Sequence, residues 1–290
     1  MTQHEPSVLV VSASPQDAYP PAQIARLVGD VGVRKATMPV IQTIMLGVLA
    51  GAFIAFGAMF FTLVMSGNPL GFGPGRLLGG LAFSLGLILV VVGGAELFTG
   101  NNLIVMAWAE RKVTTLQLLR TWGVVYFANL AGAIGTALMV HWSGTIALGD
   151  GAVAATVSRL AETKIALPFS EAFFRGVLCN VLVCLAVWLC FAAHDVASKV
   201  LAIIFPISAF VALGFEHSVA NMYFVPVAWL AGAESVTLAG FVRNLVPVTL
   251  GNVVGGGLFV AGVYWVIYLR RSDPPARGAE TDASPSASCP

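Results

Sequence analysis

Six long apolar stretches divide the chain: 39–65, 76–109, 115–142, 171–193, 199–231 and 240–269. A helix that crosses a bilayer needs about 20 apolar residues, so each stretch predicts a crossing. Two of them are too long. Segments 76–109 and 199–231 hold 34 and 33 residues. As straight helices rising about 1.5 Å per residue they would run about 50 Å. The hydrocarbon core is about 30 Å thick, and tilt absorbs little of that excess. Each also carries a polar, glycine-bearing interruption, "GGAELFTGNN" (93–102) and "GFEHSVANM" (214–222). Both facts predict broken helices. Irregular backbone at membrane depth is tolerated only where it is buried in protein or lines a water-filled path.

Composition strengthens the reading. The 290 residues are 58% hydrophobic and only 10% charged, with a mean hydropathy of +0.87. Soluble domains carry about 25% charged residues. An all-α, polytopic membrane protein is expected. The net charge of +1 implies no nucleic-acid partner. Six crossings put both ends and the second and fourth loops on one side of the membrane. That side holds ten Lys and Arg residues against five on the other, so both termini are expected in the cytoplasm. Residues 1–37 read as an N-terminal tail with a short amphipathic helix at "AQIARLVGDVGVRKA", and 38–271 as the membrane domain. The first apolar run starts too late for a signal peptide. Residues 272–290, rich in Pro, Ser and Ala, read as a disordered tail. Cys179, Cys184 and Cys190 share one apolar segment at spacings that match no metal motif. They read as small core residues, and no metal or cofactor is expected.

The two interruptions repeat each other. Gly94, Glu96 and Asn101 recur as Gly214, Glu216 and Asn221, an offset of 120 residues. Each is followed in the next segment by Asn and a glycine three residues on, at Asn129 and Gly132 and at Asn252 and Gly255. The halves run from about 39 to 142 and from about 171 to 270. Three crossings per half make the second half inverted, and matched interruptions in inverted halves point to a transport path.

Only Glu96, Glu216 and His217 are ionisable deep within the segments. Such residues face a protein interior or a cavity, because a charge at bilayer depth is costly. Each glutamate precedes a broken turn, where a carboxylate can accept from freed backbone N–H groups. Glu96 and Glu216, with Asn101 and Asn221, are expected to anchor the loops. His217 is different, because the matching position in the first half is Leu97. Its ordinary pKa of about 6.5 falls on burial and rises beside an anion. Thr99 supplies a hydroxyl from the other half, and a hydroxyl with an imidazole can hold a small anion without trapping it. Asn180, deep in the fourth segment, either lines the path or ties helices together. Lys164, Arg159 and Arg175 lie on the expected outer side, as ordinary surface charge or as a means of concentrating anions.

At these motifs the chain resembles the formate/nitrite transporter family. The carrying stretches are "GGAELFTGNN", "LCNVLVCLAVWL" (178–189), "GFEHSVANM" and "NLVPVTLGNVVGGG" (244–257), within a similarity that covers about residues 40–271. The resemblance implies an aquaporin-like protomer of six helices, the second and fifth broken, assembled as a homopentamer in the cell (inner) membrane. It implies a pore in each protomer, with His217 and Thr99 at its centre and Asn180 and Asn252 beside them. It implies apolar constrictions at Phe83, Leu87, Leu97, Phe98, Val183 and Phe210, and Lys164 in the outer vestibule. Bottom-up, these Phe and Leu side chains read as packing. The implied solute is a small monovalent anion, formate foremost, with nitrite or hydrosulfide as alternatives and proton symport as a candidate coupling.

Other classes fit less well. An aquaporin-like channel for neutral solutes would carry paired N-P-A motifs at the breaks, and the lone Asn68-Pro69 lies in a loop. An enzyme is not expected, since no H-E-x-x-H, no G-x-S-x-G and no paired catalytic Asp is present.

Overall fold

The computed structural model describes residues 18–270, and every regular element among them is helical. The expected C-terminal tail at 272–290 and residues 1–17 of the expected N-terminal tail lie outside the described residues. In chain order the helices are α1 (Pro21–Thr37), α2 (Val40–Met65), α3 (Phe72–Gly93), α4 (Val105–Ala109), α5 (Thr115–Trp142) and α6 (Ala152–Ile165). They continue as α7 (Phe169–Ala192), α8 (Val196–Ala212), α9 (Ser218–Leu230), α10 (Leu238–Val253) and α11 (Val263–Tyr268). A 3-10 turn at Gly100–Ile104 leads into α4, and a π-helical stretch at Val254–Gly262 joins α10 to α11.

Among the described residues, five helices are long and apolar enough to cross a membrane: α2, α3, α5, α7 and the continuous run Leu238–Tyr268. The expected segment 199–231 is divided between α8 and α9, of 17 and 13 residues, each too short to cross alone. The expected segment 76–109 also differs. Its first helix starts earlier, at Phe72, and is of crossing length by itself at 22 residues. Only the 3-10 turn and the five-residue α4 follow the interruption.

Local chemistry explains where the helices stop and start. Gly94 and Gly214 hold φ of 78° and 74°, a left-handed conformation that a Cβ disfavours. Just beyond each, the Ala95 N–H donates to Val90 O at 2.9 Å and the Phe215 N–H to Phe210 O at 3.0 Å. These six-to-one bonds close the last turns of α3 and α8 in the same way. Capping side chains open the next elements: Thr114 and Gln117 form a capping box for α5, Asp195 caps α8 and Thr237 caps α10.

Packing repeats as well. The α2–α5 crossing brings backbones together at Gly51 and Gly132, where a Cβ would meet the carbonyls of Asn129 and Val48. The packing of α7 on α10 and on the π-helical stretch after it does so at Gly251 and Gly255, against the carbonyls of Phe173 and Val177. Small residues at such crossings allow close van der Waals approach where lipid offers no hydrophobic drive. Where the halves meet, counterpart helices touch each other. Ser84 Oγ lies 3.5 Å from Ser208 Oγ between α3 and α8, and Tyr126 Oη lies 2.9 Å from Thr249 Oγ1 between α5 and α10.

The amphipathic helix expected near the N-terminus is α1, and it is packed rather than trailing. Ile24, Ala25 and Val28 are buried in a cluster with Leu103, Met106 and Trp188. Its counterpart between the halves is α6, whose Val153, Val157 and Ala161 are buried.

Candidate functional site

The two breaks are built on one plan. At the first, Lys35 Nζ on α1 donates to Glu96 Oε1 at 2.8 Å and to Asn101 Oδ1 at 3.0 Å, and Asn101 Nδ2 donates to Glu96 Oε2 at 2.8 Å. At the second, Lys164 Nζ on α6 donates to Glu216 Oε1 at 2.8 Å, and Asn221 Nδ2 donates to Glu216 Oε2 at 2.7 Å. Asn244 joins here, accepting from Asn221 at 2.7 Å and donating to the Lys164 carbonyl at 2.8 Å. Each buried carboxylate therefore has a cation and an amide as partners, which offsets its loss of water.

The loop backbone is held by other residues. Asn129 donates to Gly47 O at 2.7 Å and Glu96 O at 2.9 Å and accepts from the Phe98 N–H at 2.9 Å. Asn252 donates to Gly176 O at 2.8 Å and Glu216 O at 3.0 Å and accepts from the Ser218 N–H at 2.9 Å. Each asparagine thus ties its break to the first long helix of its own half. Asn252, expected beside the solute, is fully buried in this role. Asn180 donates to Thr99 O at 3.2 Å and Asn252 O at 2.7 Å, so it ties the first break to α10.

Between the breaks, Thr99 Oγ1 and His217 Nε2 lie 2.9 Å apart. His217 is the N-cap of α9, and its Nδ1 accepts from the Ala220 N–H at 3.1 Å. An acceptor Nδ1 bears no proton, so this hydrogen-bond network assigns the neutral Nε2–H tautomer. Nε2–H then donates to Thr99 Oγ1. The imidazole also stacks on Phe210, with centroids 5.9 Å apart. The Thr99 backbone is pinned, since its carbonyl accepts from Asn180, Asn102 and Cys184.

Two cavities flank this pair. A near cavity of about 440 Å³, beside α1, is lined by Lys35, Glu96, Asn101, Leu87, Leu97 and Lys199 among others. A far cavity of about 480 Å³, beside α6, is lined by Lys164, Glu216, His217, Phe83, Phe210 and Arg76 among others. Phe83 and Leu87 are one turn apart on α3 and face different cavities. A turn rises about 5.4 Å, so the septum between the cavities is thin. Phe83 and Phe210 meet edge to face at 5.6 Å on its far side. Leu87 and Leu97 form its near side.

The remaining expected positions lie off the cavities. Phe98 packs on Tyr126 at 4.9 Å and on Trp122, and Val183 is buried in the main core. Thr99, Asn180, Asn252 and Asn221 line neither cavity. Sequence reasoning missed Lys35 as the partner of Glu96, and it missed Arg76 and Asn244. The signal for Lys35 was present in the chain: it sits in the amphipathic stretch before the first half, as Lys164 sits before the second.

The comparisons with known proteins agree with this architecture. The family model described as "Formate/nitrite transporter" matches residues 22–266. The chain belongs to the formate/nitrite transporter family. The formate channel FocA of Escherichia coli (strain K12) is 39% identical over 279 residues, which cover 90% of this chain and 98% of that protein. The probable formate transporter of Methanothermobacter thermautotrophicus is 41% identical over 267 residues, covering 86% and 97%. Among solved structures, a pentameric formate channel with formate bound aligns with a TM-score of 0.73 at 38% identity, covering 80% of this chain and 98% of that one. An FNT family ion channel aligns with a TM-score of 0.78 at 29% identity, covering 84% and 98%. The formate/nitrite transporter family is one of transporters and channels, not of enzymes.

Proposed function

We propose that the chain carries small monovalent anions, formate foremost, along a path in each protomer that joins the near and far cavities past Thr99 and His217. The observation that carries this reading is the Thr99–His217 pair, set in a thin apolar septum between two cavities lined by basic residues. In this reading α8 and α9 together make a sixth crossing with a break at its middle. The Lys and Arg bias supports a cytoplasmic position for both termini and the near cavity. The pentameric neighbour and the formate channels among its relatives support formate as solute and a homopentamer as assembly.

The mechanism follows from the cost of moving a charge out of water. Basic side chains draw the anion into a cavity. At the septum it sheds water between Phe83 and Phe210, and the His217 Nε2–H and the Thr99 hydroxyl supply replacement hydrogen bonds. Neutral donors hold the anion less tightly than a fixed cation would, so it can leave on the other side. Proton transfer to the solute requires more. His217 must first take a second proton at Nδ1, and the Ala220 N–H then loses its acceptor. Proton coupling therefore loosens the first turn of α9, while simple anion passage leaves it intact.

Nitrite and hydrosulfide are the alternatives within the family. A neutral-solute channel is disfavoured by the basic lining of both cavities. The test is flux into proteoliposomes with formate, nitrite and hydrosulfide in competition at two pH values. Formate flux that saturates and exceeds the others is expected. Failure of all three anions to cross would remove the reading.

A further inference from the structure

Resting on that transport reading, we infer that Arg76 and Arg159 form an oxyanion-recognition site in the far cavity, selective for planar two-oxygen anions over single-atom anions. The far cavity is lined by four cations and one carboxylate. Two of the cations are already paired: Lys164 with Glu216 at 2.8 Å and Arg175 with Glu171 at 3.1 Å. Arg76 and Arg159 have no acidic partner among the described residues. Arg159 makes only a 3.5 Å approach to Thr156 Oγ1.

Arg76 is fixed in place without losing its charge. Its Nε donates to Ala212 O at 2.9 Å and its Nη2 to Val211 O at 2.6 Å, at the C-terminal end of α8. Those two bonds use two of its five N–H donors. The Nη1 pair and the second Nη2 hydrogen have no partner among the described residues, and one Nη1 hydrogen with that Nη2 hydrogen forms the end-on face of the guanidinium. A guanidinium matches a carboxylate or nitrite through two parallel hydrogen bonds. Because the side chain is anchored before the ligand arrives, little conformational freedom is lost on binding.

The near cavity differs in kind. Its cations without an acidic partner among the described residues are Arg34 and Lys199, and Lys199 stands near the start of α8 as Arg76 stands near the start of α3. An ammonium is a point charge, which attracts any anion. The near cavity's guanidinium, Arg34, is exposed and has no backbone anchor like that of Arg76 among the described residues, so recognition of anion shape is concentrated in the far cavity.

The test is uptake from the far side into oriented proteoliposomes, comparing wild type with Arg159→Gln, Arg159→Lys, Arg76→Lys and Arg243→Gln. Arg243 lies on α10 outside both cavities and controls for diffuse surface charge. Arg159→Gln is expected to raise the half-saturation concentration for formate and nitrite about fivefold, about 1 kcal/mol. Arg159→Lys and Arg76→Lys keep the charge and are expected to raise it about threefold for formate and nitrite, with hydrosulfide unchanged. Arg243→Gln is expected to match wild type. The inference is overturned if both lysine variants match wild type for formate, or if Arg243→Gln has as large an effect as Arg159→Gln. Wild-type liposomes that carry no formate would instead remove the transport reading beneath it.

Discussion

The first break holds Leu97 where the second holds His217, and almost everything around those two positions is the same. Both breaks follow a left-handed glycine and a six-to-one bond. Both place a buried Glu between a Lys and an Asn. Both are tied to the first long helix of their half by one Asn making three bonds. Where the halves depart, the departures pair up: His217 faces Thr99, whose own counterpart is Val219. The duplicated part is scaffold, and the unduplicated part is the proposed solute contact. A path needs two similar entrances but only one place of closest approach, so its chemistry need occur once.

The largest effect is expected from breaking the duplicated ties. Asn129→Leu and Asn252→Leu each leave two carbonyls and one N–H buried without their partner. Each orphaned group costs about 1–3 kcal/mol. Both variants should lose folded protein in detergent, measured by size exclusion and thermal melting, and to a similar degree. A large loss in one and none in the other would show that the halves are not equivalent scaffolds. Next comes the unduplicated residue. His217→Leu makes the second break resemble the first, and formate flux is expected to fall at least tenfold while the protein still folds. His217→Asn separates two roles, because an asparagine oxygen can keep the cap on Ala220. It should retain stability but lose the dependence of flux on pH. Unchanged pH dependence would take the imidazole out of the mechanism.

The two lysines give a finer comparison. Lys35→Met and Lys164→Met each strand a buried carboxylate. Removing one partner of a buried pair costs about 3–5 kcal/mol, and partial exposure reduces this. The Lys35 side chain is 26% exposed and that of Lys164 is 14%, so Lys164→Met should lower the melting temperature more. Equal shifts would mean that water reaches both carboxylates alike.

Much of this arrangement was legible in the sequence, and the rest was hidden for physical reasons. The G-x-E-x4-N repeat marked both breaks because a carboxylate and an amide are costly at membrane depth unless the chain there has work for them. The missing twin of His217 was visible because a repeat shows its own exceptions. The partner of Glu96 was not visible, because Lys35 lies 61 residues away on a helix that reads as tail. Asn252 is the opposite case: the resemblance implies it beside the solute, and in the structure its three polar bonds all go to backbone groups. A polar residue in an apolar helix reads equally well as lining or as tie, and only the partners of all three of its polar bonds decide. Phe98 and Val183, implied as constrictions, line neither cavity, and an apolar side chain carries no sign in the sequence of which way it faces. The length of 199–231 pointed to an interruption, and α8 and α9 share that stretch. That α3 alone reaches crossing length was not, because hydropathy does not register where α3 begins among the glycines of 71–75.

The smallest effect tests the pairing itself. Thr99→Val keeps the shape of the side chain and removes only the hydroxyl that faces Nε2. The imidazole N–H is then buried without an acceptor, a cost of about 1–3 kcal/mol. That cost falls on the resting state, because a solute at the septum can take the place of the hydroxyl. Thr99→Val should therefore bind the anion at the septum no worse than wild type while losing one of the two donors that pass it along. The expected outcome is a fall in maximal formate flux of about three- to tenfold, with half-saturation little changed and with pH dependence kept. The reciprocal change Val219→Thr adds a hydroxyl to the half that already has the histidine; it buries a polar group and so should cost stability, while flux per folded protein stays near wild type. If Thr99→Val carries formate as fast as wild type, the hydroxyl has no part in passage, and His217 alone sets the halves apart in function.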